Sequence, residues 1–227
     1  MPTAVSSTFS LTDAQRNYFE LFGFLRLPGL FAPEIDRLNA GFESVFAEHP
    51  TWDTNVGLHF DERRSIIPAF ITKSPDLSWL LDDPRVVGLM NSLIGPHYEY
   101  AESDGNLFFC ETSWHADTYA APLEQYHVKM SFYLDELDAE SGAIRLIPGS
   151  NHVGTRFADA VRNDLADPDA IEEIYGVDPR DIPYWSLPNK PGDLVLWNFR
   201  TVHSSFLGNR RRRLFSVNFR EPMTANE

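Results

Sequence analysis

Three side chains in this sequence have the types and the setting to hold a metal ion together. Residues 113–119 read SWHADTY. In an extended strand, residues two apart point to one face, so His115 and Asp117 can offer an imidazole nitrogen and a carboxylate oxygen to a single ion. A solvated loop pair would show the same spacing, so the motif alone decides nothing. The second histidine adds weight: in PGDLVLWNFRTVH, residues 191–203, a turn launches an apolar strand whose far end presents His203. Two histidines and one carboxylate make the facial triad that holds non-haem Fe(II) and leaves neighbouring coordination positions open.

A further element follows His203. The run Arg210-Arg211-Arg212-Arg213 is anomalous in a chain of net charge −14. Alternation along LFSVNF puts Leu214, Ser216 and Asn218 on the face of Arg212, with Phe215, Val217 and Phe219 opposite. A planar guanidinium grips a carboxylate with two parallel hydrogen bonds, which makes Arg212 the candidate for an anionic ligand. The other arginines of such a run are ordinarily solvated.

The elements that must position these groups divide the chain in two. Thr12 and Gln15 form a capping-box pattern opening a helix that Gly23 ends, and Phe24 to Leu27 read as a short strand. Apolar spacing predicts a second helix from about Pro33 to His49 and a third from Pro84 to Ile94. From about His97 the period becomes two, predicting strands at 97–102, 106–111, 126–134, 143–147, 193–198 and 213–220. Turns are expected at Gly105, Gly142, Gly192 and Gly208. An insert near 155–180 reads as helix and then loop. The pattern predicts an α+β fold: a double-stranded β-helix, or jelly roll, flanked by helices mostly from the N-terminal third.

Composition narrows the function. With 227 residues, 43% of them hydrophobic, the chain can bury a full core as one domain spanning 1–227. The acidic balance argues against nucleic acid or an anionic membrane surface as a partner. One cysteine, Cys110, rules out an internal disulfide framework. No apolar run has membrane-spanning length, and no leader pattern opens the chain, so a cytoplasmic location is expected. His127 shares a strand face with Lys129 and is a candidate pocket residue. Trp114, Tyr119 and Trp197, close in sequence to the metal-type residues, are candidate walls for a small-molecule substrate.

Four passages together resemble a known family. They are RNYFELFGFLRLPGLFAPEIDRL, SWHADTY, FYLDELDAESGAIRLIPGSNHVG, and PGDLVLWNFRTVHSS with RRRRLFSVNFRE. They resemble the phytanoyl-CoA dioxygenase family of Fe(II)- and 2-oxoglutarate-dependent oxygenases, and the likeness extends over nearly the whole chain. The resemblance implies that His115, Asp117 and His203 are iron ligands. It implies that Arg212 or Arg210, with Ser205, binds the distal carboxylate of 2-oxoglutarate, and that Lys129 stands near the same co-substrate. Dioxygen is then the second co-substrate, and retention of Asp117 favours hydroxylation over halogenation. The chain is short for this family, which leaves a role for a second subunit, as a homodimer, in closing the site. Two other readings stand beside this one: a cupin-like metal enzyme that does not use 2-oxoglutarate, and a non-catalytic small-molecule-binding protein.

Overall fold

A computed structural model describes residues 9–49, 64–118, 123–208 and 210–222. Helix α1 (Asp13–Phe22) opens on the expected box: Gln15 N–H donates to Thr12 Oγ1 at 3.2 Å, and Thr12 N–H to Gln15 Oε1 at 2.9 Å. It ends at Gly23, whose φ of 84° suits glycine. Strand β1 (Phe24–Leu27) and helix α2 (Ile35–Glu48) follow. After β2 (Arg64–Pro68) come the short α3 (Pro75–Ser78) and α4 (Pro84–Leu93), the latter capped by Asp83.

The strands form two sheets. β3 (Glu99–Phe108), β5 (His127–Tyr133), β8 (Leu194–Asn198) and β10 (Arg212–Arg220) join β1 and β2 in a six-stranded sheet of order β1-β8-β5-β10-β3-β2. β4 (Thr112–His115), β9 (His203–Ser205), β6 (Arg145–Leu146) and β7 (Trp185–Ser186) form the second, in that order. Helices α5 (Arg156–Asp164) and α6 (Ile171–Tyr175) occupy the insert. This is the expected jelly roll, with every paired strand antiparallel.

Alternation gives the large sheet two unlike faces. Its outer residues, among them Val128, Met130, Phe132, Leu194, Leu196, Phe215 and Val217, pack against Leu38, Phe42, Leu80 and Leu89 of the helical layer in one apolar core. At its centre the Phe132 and Phe215 rings stack with centroids 4.7 Å apart. The inner face runs in cross-strand rows. One row is Trp197, Lys129, Asn218 and Glu102; the next is Val195, Ser131, Ser216 and Asp104; a third is Tyr133, Leu214 and Asn106; the last is Arg212 and Phe108.

One expected turn is absent. Gly105 sits inside the single long strand β3, because the Phe70 ring lies against it: a Cβ there would meet Phe70 Cδ2 at 2.1 Å. Glycine serves close approach here and not a change of direction. Among the described residues, no helix is long and apolar enough to cross a membrane.

Candidate active site

β4 and β9 bring the two histidines together. His115 and His203 are register partners across the small sheet, with ring centroids 4.3 Å apart. The chain reaches β9 through a tightly held corner: Gly23 O accepts from Asn198 N–H at 2.8 Å and from Thr201 Oγ1 at 3.0 Å, and Val202 N–H donates to Ser150 Oγ at 2.8 Å. The Pro148-Gly149-Ser150 turn and the α1 terminus therefore fix where His203 emerges. Asp117 lies just past the end of β4, its N–H donating to Phe199 O at 2.9 Å. Ligand atoms of His115, Asp117 and His203 all fall within 4.8 Å of one another.

The donor chemistry fits a divalent metal. His115 Nδ1 lies 2.7 Å from Ser113 O, and His203 Nδ1 lies 2.9 Å from Thr201 O. A carbonyl oxygen only accepts, so each Nδ1 carries the proton and each Nε2 keeps its lone pair for an ion. Burial pushes the pKa of His203 down against the pull of Asp117, which favours the neutral, ligating ring. Burial alone would raise the Asp117 carboxyl, but Lys129, His203, His115 and the Trp197 N–H together hold it well below the usual carboxylate range. The site presents two imidazole nitrogens and one anionic oxygen, a set suited to non-haem iron.

These three side chains open onto a cavity of about 260 Å³ between the sheets, whose lining also includes Arg212, Ser205, Lys129, His127 and Trp197. Arg212 is 2% exposed. Its guanidinium packs closely against two glycines, since a Cβ on Gly208 would stand 2.4 Å from Cζ and one on Gly142 would stand 3.0 Å from Nη1. It donates to Gly142 O at 2.9 Å, to Cys110 O and to Ser205 Oγ. Among the described residues its Nε has no hydrogen-bond partner. A cation this buried, held by neutral acceptors, is poised for an anionic ligand. Ser205 sits two residues past His203 on the same strand face, roughly 6.6 Å along β9, so one short diacid can span from the candidate metal-binding side chains toward the arginine.

The remaining expectations divide. Lys129 Nζ stands 3.4 Å from Asp117 Oδ2, and Trp197 Nε1 donates to the same oxygen at 3.0 Å. Trp197 is thus bound to a candidate metal ligand as well as forming a wall. His127 packs on the Phe199 ring, centroids 4.6 Å apart, with Nε2 2.9 Å from Gln125 Oε1. Trp114 points the other way. As the strand neighbour of His115 it faces away from the cavity, donates to Pro179 O at 2.7 Å and packs with Ile147, Val202 and Phe206. Arg210 is exposed and does not line the cavity, because it precedes β10 instead of belonging to it. Tyr119 lies outside the described residues.

Sequence reasoning passed over Tyr133 and the inner face of β3. Tyr133 lines the cavity, buried, its hydroxyl pushed up to about 12 chiefly by burial. Its parity with Lys129 and Ser131 was the available signal. Glu102, Asp104 and Asn106 also line the cavity. They escaped notice because reading Gly105 as a turn cut their strand and hid its alternation.

A sequence model of the phytanoyl-CoA dioxygenase (PhyH) family matches residues 19–213. The search of curated proteins finds no match. Among solved structures the chain is similar to the non-heme alpha ketoglutarate dependent carbocyclase SnoK from nogalamycin biosynthesis, at 22% identity and a TM-score of 0.72, covering 97% of this chain and 87% of that one. It is also similar to EctD from S. alaskensis, at 19% identity and a TM-score of 0.69 over 97% and 83% of the two chains. HygX from Streptomyces hygroscopicus, solved with nickel and 2-oxoglutarate bound, matches at 16% identity and a TM-score of 0.70 over 95% and 89%.

Proposed function

We propose that this chain, which belongs to the phytanoyl-CoA dioxygenase family, uses Fe(II), dioxygen and 2-oxoglutarate to hydroxylate an unactivated C–H bond of a small metabolite or natural-product intermediate, releasing succinate and carbon dioxide. One observation carries the reading: the His115, Asp117, His203 triad and the buried Arg212 face one cavity. Fe(II) with 2-oxoglutarate, when bound, supplies the oxidising power for C–H cleavage by coupling dioxygen reduction to decarboxylation.

The protein's part is placement and exclusion of water. His115 and His203 offer Nε2 because their Nδ1 protons are already committed to backbone carbonyls. Arg212 and Ser205 bind the distal carboxylate of the co-substrate, with Tyr133 closing that end of the cavity. His127, Trp197 and the polar β3 residues form the wall against which a substrate lies. The small cavity suits a compact molecule, and residues 1–227 act as one oxygenase domain.

The test is anaerobic titration of the Fe(II) protein with 2-oxoglutarate, monitored by the weak visible charge-transfer band that chelation produces. The band is expected in the wild type and absent in His203→Ala. A wild-type protein that binds Fe(II) and shows no band would overturn the reading. Succinate release against candidate metabolites then identifies the substrate.

A further inference from the structure

The inner face of the large sheet changes character along its rows. Trp197, Lys129, Asn218 and Glu102 stand side by side on β8, β5, β10 and β3, and the next row ends at Asp104. Lys129 belongs to the triad's end of the cavity, with Nζ 3.4 Å from Asp117 Oδ2. At the β3 end the charge is negative. Glu102 and Asp104 are two residues apart on one strand and both line the cavity. Glu102 is exposed and Asp104 half-buried, so the pair stands toward the mouth. A buried amide of the same wall holds one oxygen of each: Asn218 Nδ2 donates to Glu102 Oε1 at 3.1 Å, and Asn106 Nδ2 donates to Asp104 Oδ2. Arg64 reaches this wall at Asn106, donating to Oδ1 at 3.1 Å, and lies over the Phe108 ring. Among the described residues, no lysine, arginine or histidine lies within ion-pair distance of Glu102 or Asp104.

We propose that Glu102 and Asp104 are specificity-determining residues that select a compact substrate carrying a protonated amine, whose ammonium binds at the β3 wall while a C–H bond of the same molecule faces the triad. The proposal rests on the oxygenase reading above and names its substrate class. Two carboxylates on one strand face repel each other, and an entering cation relieves that repulsion where a neutral group does not. A carboxylate has about four lone-pair sites, so the single amide bond on each leaves others to accept from an ammonium. Bonds of that kind, between charged donor and charged acceptor, are the strong ones. A phosphorylated or carboxylate-bearing substrate would meet like charge at this wall. The spacing sets the size of the molecule. β3 and β5 are two strands apart, about 10 Å, so an ammonium at Glu102 leaves a reacting carbon only a few bonds away near the Lys129 end.

The test uses the full chain without metal. Saturation-transfer NMR at physiological salt follows three matched probes, cyclohexylamine, cyclohexanol and cyclohexanecarboxylate, titrated one at a time. In the wild type the amine is expected to bind about 10-fold more tightly than the alcohol or the carboxylate, the size of one good hydrogen bond to a charged group. The double variant Glu102→Gln with Asp104→Asn keeps the shape and the acceptor of each side chain and removes the charge. It is expected to bind the three probes equally. An amine that binds no more tightly than the alcohol in the wild type would overturn the proposal, and so would a preference that survives in the double variant. If the double variant does not fold, Glu102→Gln alone, at an exposed position, should lower the preference by at least about three-fold, and an unchanged preference overturns the proposal. Because no metal takes part, the two readings fail separately. A wild type that shows the 2-oxoglutarate charge-transfer band and no amine preference loses only this substrate class, whereas one that prefers the amine and shows no band loses the oxygenase reading.

Discussion

Arg212 is the residue proposed to take the co-substrate's carboxylate, and its surroundings give that expectation a size. The guanidinium is packed on Gly142 and Gly208 and, among the described residues, hydrogen-bonded to neutral acceptors, so no recorded hydrogen bond to a carboxylate competes with an entering one. Arg212→Ala is expected to weaken 2-oxoglutarate binding by about 2–5 kcal/mol, the range for truncating one partner of a buried charge pair. Arg212→Lys should recover only part of this, because an ammonium cannot reproduce the planar fork. Titrating each variant with 2-oxoglutarate in the presence of Mn(II) measures both effects, and equal affinity in Arg212→Ala would exclude the assignment. At this scale the sequence was informative because parity is local. The alternation of LFSVNF separates Arg212 from Arg211 and Arg213, and in the structure Arg213 turns to Asp135 and Glu43 on the other side. Trp114 was misplaced for the same local reason, overlooked: it adjoins His115, and neighbours on a strand face opposite ways.

Between elements, the helical layer is held by Asp83 and Arg85. Asp83 caps α4, its carboxylate accepting from Arg85 N–H at 2.9 Å, and pairs with the Arg85 side chain, which lies 4.1 Å from the centre of the Phe31 ring and donates to Leu30 O at 2.8 Å. Burial would raise the Asp83 pKa, but the Arg85 side chain and backbone N–H outweigh it and the carboxyl is lowered. Because the folded value lies below the unfolded one, the stabilisation is fully present above the ordinary aspartate pKa of about 3.9 and is lost as pH falls through the lower folded value. Asp83→Ala should cost about 1–2 kcal/mol near neutral pH, with a gap that narrows in acid, as urea unfolding at several pH values would show. Gly105→Val should cost about 1–3 kcal/mol by driving β3 off the Phe70 ring, read from the same unfolding curves. The Thr12–Gln15 capping box and the strands with clean alternation were legible in advance. The inner wall of β3 was not, because a glycine used for close packing and a glycine used for a turn look alike in sequence.

For the molecule as a whole, both ligands of the site should act as staples. His115 and His203 lie on β4 and β9 of the small sheet, while Arg212 begins β10 of the large one, so under the proposed function metal and co-substrate together would bridge the two sheets. At a free 2-oxoglutarate concentration 100 times its Kd, linkage adds about 2.7 kcal/mol to the metal-loaded protein. For a chain of this size that corresponds to a rise in melting temperature of roughly 5–10 °C. Scanning calorimetry should show the rise in the wild type and its loss in Arg212→Ala. The global architecture was readable from the change of hydrophobic period near residue 97, whereas the pairing of distant strands was not, since nothing local in the chain dictates which strands become neighbours. The cross-strand rows of the inner face have a use for anyone wishing to redirect this catalyst. The row ends at Glu102, Asp104 and Asn106 lie on β3, a strand that supplies neither a metal ligand nor Arg212. A mutant library confined to those three positions would therefore vary what the cavity accepts while leaving the machinery of oxidation in place.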